Sequence, residues 1–67
     1  MDLSARNSLK GTVKSVRLGD IMAEVVVDVG GQEVVAAITR GSAERLGLKK
    51  GDQVYAVVKA TEVMIGK

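Results

Sequence analysis

The sequence predicts an all-β domain, a five-stranded, partly open Greek-key barrel of the OB type with one short helix between strands three and four. Three observations predict it. Apolar runs rich in Val recur at short spacing, 12 Val among 67 residues. Turn signals containing Gly separate them. The hydrophobic period changes from about two to helical at only one place, Ser42 to Gly47. An SH3-like barrel of similar length is the alternative architecture.

Leu9 to Leu18 is the first strand. Val13 and Val16 fall on opposite parities, a slip that a bulge explains, so the strand bends near Ser15. Gly19-Asp20 is a turn. Ile21 to Val29 is the second strand, and its unbroken Val25-Val26-Val27 reads as buried on both faces. Gly30-Gly31 is a two-residue hairpin signal. Glu33 to Ile38 is the third strand. In Ser42 to Gly47, Ser42 is the expected N-cap, Glu44 lies in the first turn and Gly47 is the stop. One turn of helix is unstable alone, so Leu46 and Leu48 are expected to plug one end of the barrel. Lys49 to Asp52 is a turn. Gln53 to Ala60 is the fourth strand and Thr61 to Ile65 the fifth, with Val63 and Ile65 on one parity. No boundary or repeat divides the chain, so residues 1–67 are expected to form one domain.

Composition then narrows the function. At 46% hydrophobic the chain is too apolar to be disordered. It has no Cys, His, Pro, Trp or Phe, and Tyr55 is its sole aromatic. That removes disulfides, thiolate sites, the commonest metal ligand and the commonest general base. No nucleophile–base pair and no phosphate-cradling glycine motif is present, so an enzyme is not expected. The net charge is +2. Together with one aromatic, this argues against a nucleic-acid-binding OB sheet, which stacks bases on aromatic rings. No apolar run of membrane-spanning length and no signal-peptide core occurs, so the cytoplasm is the expected compartment. A small aliphatic core without disulfide or metal calls for another staple, and self-association is the one left.

Three polar spots stand out. Ser4-Ala5-Arg6-Asn7 precedes the first strand. Thr39-Arg40-Gly41-Ser42 offers hydroxyls and backbone N–H groups before the helix. Lys59-Ala60-Thr61 places one cation in an otherwise apolar run. Each also has a plain structural reading: a solvated tail, a simple N-cap, a charge guarding a strand edge.

The residues also carry a resemblance. Ser4-Ala5-Arg6-Asn7-Ser8-Leu9-Lys10-Gly11 resembles the opening of the molbindins, small molybdate-binding proteins built from one TOBE-type OB unit. The likeness continues through Ala23-Glu24-Val25, Ile38 to Ser42 and Leu46 to Gly51. It closes with Ala56-Val57-Val58-Lys59-Ala60-Thr61-Glu62-Val63-Met64-Ile65, so it spans essentially the whole chain. The Gly30-Gly31 turn departs from the pattern by being a residue shorter. The resemblance implies a cytoplasmic homo-hexamer, a trimer of dimers, that binds molybdate or tungstate between subunits for storage or homeostasis. It implies an oxyanion site of Ser4, Ala5, Arg6, Thr39, Ser42, Lys59 and Ala60, with no protein ligand to the metal itself. The same unit occurs fused to molybdate-responsive regulators and transporter ATPases. A regulatory interaction module is therefore the alternative, and a nucleic-acid-binding OB domain a more distant one.

Such a site is chemically coherent. Molybdate is a tetrahedral dianion whose four oxygens only accept hydrogen bonds. It needs hydroxyls, backbone N–H groups and cations, which these three spots supply. Missing His and Cys do not count against a metal that arrives already wrapped in oxygen.

Overall fold

β-Branched alternation and the turn glycines build four antiparallel strands in the computed structural model, which describes residues 6–67. They are β1 (Asn7–Leu18), β2 (Met22–Val29), β3 (Gln32–Thr39) and β4 (Gln53–Val58). Helix α1 (Arg40–Leu46) follows β3, and a 3-10 turn (Ala60–Glu62) follows β4. The sheet order is β3-β2-β1-β4. Gly30 and Gly31 take φ of 58° and 88°, the left-handed pair that a tight primed hairpin turn requires. Asp28 and Glu33 face each other across that hairpin. The Asp28 carboxylate accepts from the Gly31 N–H at 3.0 Å.

β1 is shared between two ladders. Its first half, Asn7 to Thr12, pairs with β4, and from Thr12 onward it pairs with β2. The register slips between Val13 and Ser15, the bulge that the parity change predicts. Val13 sits at that corner, where its N–H donates to the Asp52 carbonyl and its carbonyl accepts from the Gly51 N–H, both at 2.8 Å. It is 1% exposed and forms the core with Val25 and Val27. Val16, Val29, Ile38, Leu48 and Val54 pack around them. The bend also presses β1 onto β2. A Cβ on Gly11 would lie 2.6 Å from the Asp28 carbonyl oxygen and 2.7 Å from a Val27 methyl. Backbone cannot yield as a flexible side chain can. Gly11→Ala should therefore cost about 1–3 kcal/mol, read as a lower urea midpoint with an unchanged slope.

Four sequence expectations are corrected. The fifth strand is not formed: Ala60–Glu62 is a 3-10 turn, and no strand is found over Val63 to Ile65. Met64 and Ile65 are 91% and 90% exposed. Alternation marks a segment suited to pairing, but it does not say that the partner lies in the same chain. Second, the four-stranded sheet does not close into a barrel. An apolar groove of about 280 Å³ stays open over the core, lined by residues including Val13, Ile38, Leu48, Val54, Tyr55 and Val57. Third, Leu48 packs on the core, whereas Leu46 is 69% exposed at the rim of the groove. Fourth, Val25 and Val27 are buried but Val26 only partly so, because the sheet's second face is left largely uncovered.

Candidate functional site

Thr39 ends β3, on the rung opposite Met22 of β2. Its extended backbone (φ −69°, ψ 148°) is that of an N-cap, and its Oγ1 accepts from the Ser42 N–H at 3.1 Å. The cap is thus Thr39, not Ser42. Ser42 is the third helical residue, the position a capping hydroxyl reaches. The sequence carried that signal as Thr39 three places before Ser42. With the helix starting at Arg40, Glu44 falls beyond the first turn. Gly47 stops the helix as expected, in the left-handed conformation with φ 61° and ψ 36°. The Thr39 hydroxyl also donates to Ser42 Oγ at 2.8 Å. The segment is tied down from behind: the Arg40 N–H donates to the Ile21 carbonyl at 2.7 Å, and the Arg40 guanidinium donates to the Gly19 carbonyl at 3.2 Å.

Arg6 and Lys59 flank the same end of the β1–β4 ladder. Asn7 and Val58 form a rung of the β1–β4 ladder. Arg6 precedes Asn7 and Lys59 follows Val58, so both lie just beyond that rung, and both are exposed. Ala60 opens the 3-10 turn just beyond. Ser4 and Ala5 lie outside the described residues.

The structure therefore bonds Thr39 to Ser42 and sets Arg6 and Lys59 at one end of the β1–β4 ladder. It does not join them. Thr39 is opposite Met22, next to the Leu18 end of β1, and Arg6 adjoins the Asn7 end. Twelve residues of β1 lie between. A straight strand of that length would span roughly 36 Å, shortened here by the bend.

Charge is available at both places. The ion pairs among the described residues engage Lys14 with Glu33, Arg40 with Glu44 and Lys49 with Asp52. Arg6, Lys59 and Arg45 stand outside them. Glu33 holds the Lys14 ammonium above its ordinary pKa, chiefly through their hydrogen bond. Lys14 thus stays charged through neutral pH but is committed to a carboxylate. Arg45 went unmarked in the sequence reading, yet its guanidinium donates to Ser42 Oγ at 3.3 Å. Its place three residues after Ser42 on a helix was the signal available. Among the described residues no group of three or more Asp and Glu side chains is arranged to hold a metal ion, and no helix is long and apolar enough to cross a membrane.

These pairs contain hydrogen-bond donors and positive charge without a carboxylate, the chemistry of an anion site. Comparison with known proteins gives it a context. The TOBE domain family matches residues 3–65. The chain is 48% identical over 66 residues to molybdenum-pterin-binding protein 3 of Clostridium pasteurianum, covering 97% of each. It superposes with a TM-score of 0.95 on a molybdate binding protein from Sporomusa ovata, at 49% identity and over the full length of both. It also matches the cytoplasmic molybdate-binding protein ModG, in a form with molybdate bound, at a TM-score of 0.85 and 46% identity. That match covers 90% of this chain and 43% of ModG. Family match, whole-length identity and backbone likeness agree, and the chain belongs to the TOBE-domain family, among the molbindins.

Proposed function

We propose that this chain is a cytoplasmic molybdate- or tungstate-binding protein for molybdenum storage or homeostasis, a binding protein and not an enzyme. Its single domain holds the oxyanion between subunits of a homo-hexamer. The observation that carries the reading is the whole-length likeness, at nearly half identity, to proteins named for binding molybdate or molybdenum-pterin. The site is assigned to Ser4, Ala5, Arg6, Thr39, Ser42, Lys59 and Ala60. Arg6 and Lys59 balance the two negative charges. The hydroxyls of Ser4, Thr39 and Ser42 and the backbone near Ala5 and Ala60 donate to the oxygens.

Two structural features support a site between subunits. The cation pair and the hydroxyl pair sit at opposite ends of β1, so a second copy is what brings one pair to the other. The open groove and the exposed Val63-Met64-Ile65 tail are apolar surfaces that a lone chain leaves wet. A tail seated in another copy's groove would cover both.

Calorimetric titration of the purified protein with molybdate, run beside sulfate, tests the assignment. Saturable molybdate binding with clear preference over sulfate is expected; no molybdate heat, or equal affinity for sulfate, would sink it. Light scattering on the same sample should return six chains per particle, and a monomer would remove the intersubunit site. Saturating molybdate should also raise the thermal midpoint, because ligand at a hundred times its Kd adds about 2.7 kcal/mol to the folded assembly.

A further inference from the structure

Within the reading just given, on which this inference rests, Thr39 and Ser42 form the hydroxyl half of the oxyanion site. A hydroxyl has one proton to give and two lone pairs to receive. Thr39 gives its proton to Ser42 Oγ at 2.8 Å and receives the Ser42 N–H at 3.1 Å. Ser42 Oγ receives that proton and also an N–H of the Arg45 guanidinium at 3.3 Å. The Ser42 oxygen is thus held between the Thr39 hydroxyl and the Arg45 guanidinium. Arg45 is the one cation among the described residues that touches this hydroxyl pair.

Arg45 completes this arrangement, and its charge is not spent elsewhere. The neighbouring Glu44 carboxylate is taken by Arg40 at 3.6 Å. Among the described residues no carboxylate lies within ion-pair distance of Arg45. We propose that Arg45 is a positioning residue of the oxyanion site. It holds the Ser42 hydroxyl in place and adds a third positive charge, tightening binding of a dianion. A guanidinium suits the task because it is charged at every relevant pH and its planar fork holds a bond direction that an ammonium does not.

The test is molybdate titration of the whole protein and of Arg45→Met, Arg45→Lys, Ser42→Ala and the Ser42→Ala/Arg45→Met double variant, at low and at high salt. Arg45→Met should bind about tenfold more weakly at low salt, the scale of a charge-assisted hydrogen bond, with a smaller deficit at high salt. Arg45→Lys should recover only part of the loss. In the Ser42→Ala background, Arg45→Met should cost much less than in the wild type, because the partner through which it acts is gone. Thermal midpoints without ligand should agree across the set, since Arg45 is exposed and the half-buried Ser42 takes no part in the core. Arg45→Met binding as tightly as wild type overturns the proposal and leaves the site assignment standing. An undiminished loss in the Ser42→Ala background overturns it too, because Arg45 then acts apart from Ser42. Should any Met variant melt early, Arg45→Gln replaces it and the same coupling is read. Failure of the wild type itself to bind molybdate would instead refute the site assignment underneath.

Discussion

Molybdate binding should be lost to calorimetric detection when Arg6 and Lys59 are both replaced by alanine, while each single replacement weakens it by about tenfold to a hundredfold. The double loss leaves a dianion with hydroxyls and backbone amides but no cation from this half of the site, and desolvating two uncompensated charges is prohibitive. The fold should not suffer. Arg6 precedes the first rung of the β1–β4 ladder, Lys59 follows its last, and both side chains face water. Circular dichroism and the urea midpoint of the double variant should match the wild type. A mixing experiment then asks whether the site is shared. Lys59→Ala and Ser42→Ala chains are each defective, but in opposite halves. Unfolded together and refolded at equal ratio, they should recover about a quarter of the full-affinity sites by random pairing of subunits. A site built within one chain would recover none.

The second large effect is expected at the tail. Met64→Asp with Ile65→Asp should split the assembly and abolish oxyanion binding in the same step. Those two side chains touch little of their own chain, so charging them costs the isolated fold almost nothing. Seated in an apolar groove of another copy, each carboxylate would be buried without a partner. Sedimentation should show the particle falling to smaller species as calorimetric heat disappears. A variant that stays assembled and still binds would show that the groove is filled by something other than this tail.

Much of the fold was legible because local rules dictate it. The Gly30-Gly31 hairpin follows from a backbone conformation that few residues accept. The bulge follows from the Val13–Val16 parity slip, since only an extra residue lets both point inward. The fifth strand was misread for the same kind of reason. Val63 and Ile65 alternate as strand residues do, but pairing is a relation between segments, and alternation in one segment cannot name the other. Thr39 and Ser42 were both picked out, but the cap was assigned to Ser42 where the structure has Thr39. Both are hydroxyls at plausible positions, and only the path of the chain at the end of β3 separates them. Arg45 escaped because a helical Arg three residues beyond a Ser is commonplace until the bond between them is seen.

The slip in β1 has a consequence for how this shape is written in the chain. Val13 stands opposite Val27 and Ser15 opposite Val26, so Lys14 is the residue with no counterpart. Removing it would leave every other rung matched and the inward valines still inward. What would vanish is the corner that lets one strand serve β2 on one side and β4 on the other. The curvature is therefore stored as a count of residues rather than as a residue type. Substitutions at position 14 should be mild, touching only the exposed pair with Glu33. A single-codon deletion there should flatten the sheet and swing β4 away from the core, a lesion that a scan of point substitutions would pass over.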